Sequence, residues 1–498
     1  MPTGGYAARS PDLAALALAV VQPGFEGVRA PDWVLRRIES GLGGVALFGR
    51  NIEDAEQLAR LTGQLHQANP ATLVAVDEEG GDVTRLEYRT GSSWPGNLAL
   101  GAVDDVDLTR AVAREIGSAL AEVGIDLDYA PDADVNVEAS NPVIGVRSFG
   151  SDAGLVARHT AAWTRGIQSA GVLACAKHFP GHGDTRVDSH LGLPEVDLGT
   201  DPTTSPALEP FRAAVGAGAA AVMSGHLRVV GLDPRPATLV PAVMTGLLRD
   251  HLGFTGLAVS DGLEMGAVAG TVGLAEGAVL AVAAGVDALC IGGGLAGQDT
   301  LDLVVGALVE AVHGGRLTEE RLDEAASRVV AAAALRDALR DSATRPPVGA
   351  SAGLDAAARA LKVSGSPTLR STSPLVLELT AASNIAVGDE TVSGLVSAVR
   401  RRWADAPVEQ FGPGAGPAEV VATARAVPAE RPVWLAVRDV HRFAWMADVV
   451  SAVAAVRPDV VVVDTGWPSW RPVEDLAHVV TRGGSRASGE AVVRLLSG

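Results

Sequence analysis

The densest chemistry in this sequence lies between residues 177 and 190, K-H-F-P-G-H-G-D-T-R-V-D-S-H. His178, His182 and His190 stand there with Lys177, Asp184 and Asp188 in a loop punctuated by Gly and Pro. Imidazoles beside carboxylates move protons near neutral pH. A single histidine in such a loop belongs most often to a solvated turn; the whole constellation points to a site. His178, His182, Asp184 and His190 are also conceivable metal ligands. Their spacing fits no standard zinc motif, so the expectation is a site with no metal and no cofactor.

Something must hold this loop and its partners together. Residues 1 to about 340 alternate strand-like and helix-like patterns. Short apolar, β-branched runs suit strands buried on both faces: GGVALF (43–48), TLVAVD up to Asp77, GIDLDYA before Pro131, GVLACAK up to Lys177, AAAVMSGH up to His226, GLAVSD up to Asp261 and VDALCIG up to Gly292. Helical periodicity fills the gaps. Seven or eight such units predict an α/β fold with a (β/α)8 TIM-like barrel, an open doubly wound sheet being the alternative. Chemically able residues recur at the strand ends: Asp77, Lys177, His178, His226 and Asp261. In a barrel those ends meet on one face, which favours it.

Residues 341–372 are rich in Ser, Pro, Ala and Gly and read as a linker with one helix, Leu354–Leu361. From 373 to 498 strand and helix patterns alternate again, predicting a smaller C-terminal α/β sandwich domain. The 498 residues thus divide into a catalytic barrel (1–340), the linker and this second domain.

A formal charge of −19 repels nucleic acid and anionic membranes, so neither is an expected partner. The apolar stretch Leu13–Val21 is too short to span a bilayer and lacks the flanks of a secretory leader. The two cysteines, Cys175 and Cys290, both sit in apolar strand patterns. Buried free thiols suit a reducing compartment, and a cytoplasmic location is expected.

The 177–190 motif resembles the signature of family 3 glycoside hydrolases of the β-N-acetylglucosaminidase (NagZ-type) branch. Further segments resemble that family in the same order: Q-P-G-F-E-G (22–27), G-G-V-A-L-F-G-R-N-I (43–52), V-D-E-E-G-G-D-V-T-R-L (76–86), P-D-A-D-V-N (131–136), N-P-V-I-G-V-R-S-F-G (141–150) and V-S-D-G-L-E-M (259–265). The resemblance implies a retaining exo-β-N-acetylglucosaminidase. Asp261 matches its nucleophile, His190 its acid/base and Asp188 the partner of that histidine. The i, i+2 spacing lets a carboxylate reach the imidazole within one tight turn, fix its tautomer and stabilise the imidazolium. Asp77 matches a carboxylate that accepts from sugar hydroxyls; Arg85, Arg147, Lys177 and His178 match donors around the same sugar. The implied ligands are small amino-sugar glycosides, from muropeptides or chito-oligosaccharides.

Two other functions remain open. A histidine acid/base is uncharged in its base form and would not repel phosphate, so a phosphorylase is a near neighbour. A non-catalytic sugar-binding protein is the third reading. One departure from the family pattern is Gly262 after the nucleophile, where Asp or Ala is expected; it could loosen the turn that aims Asp261. Gly292–Gly294 follow a strand but lack the G-x-G-x-x-G pattern or a Walker lysine, and read as a barrel turn.

Overall fold

The computed structural model describes residues 12–190, 192–294, 297–346, 351–381, 387, 392–472 and 476–498. Eight parallel strands curl through the first two thirds of the chain: β1 (Val21–Pro23), β2 (Gly44–Leu47), β3 (Leu73–Val76), β4 (Leu127–Asp128), β5 (Leu173–Phe179), β6 (Ala221–Ser224), β7 (Leu257–Ser260) and β8 (Leu289–Ile291). Strands β2 to β7 form one continuous parallel sheet in sequence order, and β1 pairs with β8. A bridge between Val259 and Ala288 joins β7 to the start of β8. No ladder joins β1 to β2 among the described residues, so the paired structure is a strongly curled sheet. Strand β1 was not anticipated. Its three residues end in Pro23, and a run that short carries no period.

The inner face of the curl is lined by small and medium side chains, among them Ala46, Ala75, Cys175, Met223, Val259 and Cys290. Both cysteines are free and buried there. The long helix Glu319–Asp341 packs Val329, Ala332 and Ala333 against this cluster. The outer face is covered by amphipathic helices whose first turns are fixed by side-chain caps. Asp54 accepts from Gln57 N, Asp105 from Leu108 N and Asp152 from Leu155 N.

The segment read as a linker is more structured than expected. It holds helix Ala352–Ala360 and a strand, β9 (Lys362–Ser364); residues 347–350 lie outside the described residues, as do residues 1–11. Strand β9 pairs antiparallel with the last strand of a second six-stranded sheet. That sheet contains β10 (Leu375–Leu379), β11 (Val408–Phe411), β12 (Val433–Val437), β13 (Val461–Asp464) and β14 (Ala477–Val480), in the order β9-β14-β13-β12-β10-β11. Its central strands are parallel and apolar on both faces, as the sequence pattern required.

The C-terminal part grips the loop that follows β3. Gly484 N donates to Asp82 Oδ1 at 2.6 Å, Arg438 pairs with Asp82 at 2.7 Å, and Arg486 pairs with Glu87 at 2.7 Å. Among the described residues, no helix is long and apolar enough to cross a membrane.

Candidate active site

The C-terminal ends of the curled strands surround a cavity of about 470 Å³, lined by Asp77, Arg85, Arg147, Lys177, His178, His190 and Asp261 among others. Seven of the eight sequence-predicted site residues therefore share it. The eighth, Asp188, stands behind His190.

Asp261 directly follows β7. Its backbone N–H donates to Ser224 O at 3.1 Å, which ties it to the neighbouring strand. Gly262 N donates back to Asp261 Oδ1 at 2.8 Å. The turn is held from outside by His226, whose Nε2–H donates to Gly262 O at 3.0 Å while Nδ1 meets the Thr238 hydroxyl at 2.8 Å. His226 thus secures the turn that Gly262 was expected to loosen. Burial pushes the His226 pKa down, and the neighbouring Asp261 charge works against that shift. Burial alone would raise the Asp261 pKa. His226, His178 and His190 outweigh it and hold the carboxyl at about 2, so it is ionised at neutral pH.

Asp188 and His190 form the tight turn that their spacing suggested. Asp188 Oδ1 accepts from the backbone N of His190 at 2.9 Å and from its Nδ1 at 2.7 Å. With Nδ1–H committed, Nε2 is the nitrogen left to exchange a proton across the cavity. Burial works to lower the His190 pKa, but the Asp188 hydrogen bond and the Asp261 charge raise it above its ordinary value. The same hydrogen bond lowers the pKa of Asp188. Ala267 N donates to Ser189 O at 3.3 Å, docking this loop beside Asp261.

The opposite wall is a buried charge network. Lys177 Nζ lies 2.7 Å from both Asp77 Oδ1 and Glu79 Oε1. Arg147 grips Glu79 with two bonds, Nε to Oε2 at 3.0 Å and a second nitrogen to Oε1 at 2.7 Å. Arg85 lies 3.8 Å from Asp77. Its backbone N, with Leu86 N and the Thr84 hydroxyl, donates to Glu78 Oε2 at 2.8, 2.9 and 3.0 Å. His178 donates Nδ1–H to Asp134 Oδ2 at 2.7 Å, leaving Nε2 3.4 Å from Arg147. Successive side chains of a strand normally point to opposite faces. The pairing of β5 with β6 shifts register between Ala176 and Phe179, and this irregularity lets both Lys177 and His178 line the cavity.

The set of metal ligands conceivable from the sequence does not converge. His182 bonds the hydroxyls of Thr185 and Ser189 at 2.7 and 3.2 Å, His190 is committed to Asp188, and Asp184 is exposed. Burial lowers the His182 pKa to about 4, which suits a neutral structural ring. The ligand-bearing atoms of Asp132, Asp134 and His178 do come within 4.8 Å of one another, but a direct hydrogen bond already joins the last two.

Glu79, Asp134 and Glu264 were not singled out from the sequence. Glu79 lies two residues beyond Asp77, and that alternation was the available signal. Asp134 sits in a segment quoted only for its resemblance. Glu264 Oε1 accepts from Gly292 N at 3.1 Å and also from Gly293 N, closing the turn after β8.

Residues 33–332 match the model of the glycosyl hydrolase family 3 N-terminal domain. The chain belongs to this family and is a glycoside hydrolase. It is 33% identical over 316 residues to beta-hexosaminidase A of Pseudoalteromonas piscicida, a match covering 58% of this chain and 52% of that protein; the chain spans about half the length of that relative. A family 3 β-N-acetylglucosaminidase structure from Paenibacillus sp. superposes with a TM-score of 0.83 at 32% identity, covering 98% of this chain and 96% of the other. The NagZ structure of Neisseria gonorrhoeae in complex with N-trifluoroacetyl-D-glucosamine gives a TM-score of 0.52 at 30% identity, covering 63% of this chain and 97% of the other.

Proposed function

We propose that this protein is a retaining exo-β-N-acetylglucosaminidase that hydrolyses terminal β-linked N-acetylglucosamine from muropeptide or chito-oligosaccharide fragments. One observation carries the reading: a strand-end carboxylate, Asp261, and a carboxylate-anchored imidazole, His190, line one cavity with the Lys177, Arg147 and Arg85 cations. Asp261 attacks the anomeric carbon as His190 Nε2–H protonates the glycosidic oxygen, and the bond to the aglycone breaks. A glycosyl ester forms on Asp261. Forming that ester removes the anion that had raised the His190 pKa, so the imidazole becomes ready to accept a proton. Water gives its proton to Nε2, attacks the same carbon and frees Asp261. Asp77 accepts from the sugar hydroxyls, while Arg85, Arg147, Lys177 and His178 orient the sugar.

The architecture we assign is a (β/α)8 barrel over 1–340, a connecting segment over 341–372 and a C-terminal α/β domain over 373–498, with β9 of the connecting segment joining the last domain's sheet. Two buried free thiols support a reducing, cytoplasmic setting. Small amino-sugar glycosides, rather than nucleic acid or a membrane, are the partners that the charge and the cavity support.

The test is a mechanism-based fluorinated N-acetylglucosamine analogue followed by peptide mapping, with NMR of the first product. Label on the peptide containing Asp261 and a β product are expected. Label elsewhere removes Asp261 as nucleophile, and an α product removes the retaining mechanism.

A further inference from the structure

The second sheet carries a cavity of its own. Its first parallel strand in the chain, β10, has β11 on one side and β12 on the other, so the winding direction reverses between β10 and β12. In open parallel sheets, ligands bind outside the carboxyl ends of the strands at such a reversal. A cavity of about 470 Å³ lies there, lined by Leu379 and Thr380 at the end of β10, Val437 and Arg438 at the end of β12, and Thr465 after β13. Its facing wall belongs to the curled sheet's loops, with Asn141, Val143 and Asp188. Val143 lines both cavities. The dyad straddles them: His190 lines the catalytic cavity, and its partner Asp188 lines this one. The two cavities thus adjoin each other at Val143 and at the dyad.

The charges facing that space decide what it receives. Among the described residues its titratable lining is Asp82, Asp188, Glu378 and Asp439 against Arg438 and Arg442. Both guanidiniums are already engaged. Arg438 pairs with Asp82 at 2.7 Å and lies 3.7 Å from Asp439; Arg442 lies 3.8 Å from Asp439. Glu378 accepts from Gln410 at 2.7 Å, and Asp188 accepts from His190. Among the described residues, four carboxylates against two arginines leave an excess of negative charge beside the dyad. The uncharged polar lining, Asn141, Thr380, Ser393 and Thr465, suits hydroxyl and amide groups.

We propose that this second cavity is the aglycone subsite, and that it selects an uncharged, hydroxyl-bearing sugar over one carrying a carboxylate. The assignment rests on the glycosidase reading above and decides between its two substrate classes in favour of chito-oligosaccharides. A free carboxylate entering this field meets the Asp439 and Asp188 charges at short range.

The experiment compares kcat/KM for N,N′-diacetylchitobiose, for N-acetylglucosaminyl-β-1,4-N-acetylmuramic acid and for the methyl ester of the latter, with an aryl N-acetylglucosaminide as control. The ester should exceed the free acid by about tenfold, with chitobiose near the ester. Asp439→Asn should narrow the gap between ester and acid. Asn keeps the acceptor for Trp467 N and tolerates the positive φ of 50° at this position. Turnover of the aryl control should not change. An acid cleaved as well as its ester overturns the charge selection. A D439N effect equal on every substrate overturns the subsite. Failure to cleave the aryl control strikes the glycosidase reading instead.

Discussion

His190 and Asp188 are joined twice within one turn, through the backbone N at 2.9 Å and through Nδ1 at 2.7 Å, both to the same carboxylate oxygen. This arrangement sets the ring plane and its tautomer together, so removal of either residue should have a distinguishable effect.

His190→Ala should lower kcat on disaccharides by roughly 10²–10⁴-fold, the usual range for a lost general acid. Aryl glycosides with good leaving groups need little protonation and should lose far less in the glycosylation step. Asp188→Ala should show a weaker version of the same pattern, because the ring remains but is no longer held. Equal losses on both substrates at saturation would make His190 structural. The measurement is pre-steady-state and steady-state turnover on matched substrates.

The pH profile has a definite sign. Asp261 must be ionised, and its pKa of about 2 keeps it so through the acid range. His190 must be protonated for the first step, and its pKa is raised above the ordinary 6.5. kcat/KM on a disaccharide should therefore hold at acid pH and fall as pH rises through the His190 value. Glu78, pushed up to about 7 by burial, titrates in the same region. The two separate by substrate: a Glu78 effect on Arg85 appears with any glycoside, whereas the alkaline limb set by His190 fades with a good leaving group. An alkaline limb unchanged in the His190→Ala variant would contradict the assignment.

Glu78 acts through Arg85. Its Oε2 accepts three donors from residues 84–86 and so shapes the turn that presents the guanidinium. Glu78→Gln keeps one carbonyl oxygen and should raise KM several-fold with a smaller change in kcat. Combined with Arg85→Ala it should add little, because coupled residues are not additive. Full additivity in the double-mutant cycle would separate the two residues.

Glu79 is the shared acceptor of Lys177 and Arg147, both almost wholly buried. Glu79→Gln leaves two buried cations with less countercharge. Loss of a buried partner costs about 3–5 kcal/mol in comparable cases. Chemical denaturation should show a lower midpoint at unchanged slope, and KM should rise. Wild-type stability in that variant would mean that Asp77 and Asp132 suffice as counterions.

The strand ends were legible because buried parallel strands write themselves as short apolar runs ending in polar residues. Asp77 and Asp261, each directly after its strand, could be placed that way with no coordinates, whereas Lys177 lies within β5, which runs on to Phe179. The Asp188–His190 bond was legible because i, i+2 contact is local. What escaped depends on separation in sequence. Glu79 meets Arg147 and Lys177 across 68 and 98 positions, and nothing in a single sequence encodes that pairing. The same holds for His226, whose partner carbonyl at Gly262 lies on another strand end. Strand β9 was hidden because Lys362–Ser364 is an exposed edge with no buried face to impose a pattern.

Phosphate gives the last test. In the second step a neutral imidazole faces the glycosyl ester, where other glycosidases place a carboxylate. An anion can approach that side without meeting a fixed negative charge on the acid/base itself. Arg85 and Arg147 line the same cavity, but Asp77 and Glu79 largely compensate them. Phosphate should therefore compete with water only at high concentration, giving a minor yield of N-acetylglucosamine-1-phosphate. Mass spectrometry of products across a phosphate series measures the partition. Complete absence of sugar phosphate leaves a strict hydrolase. Sugar phosphate as the main product at millimolar phosphate would make the enzyme a phosphorylase, and His190→Glu should then abolish phosphorolysis before hydrolysis, because the carboxylate restores the repulsion.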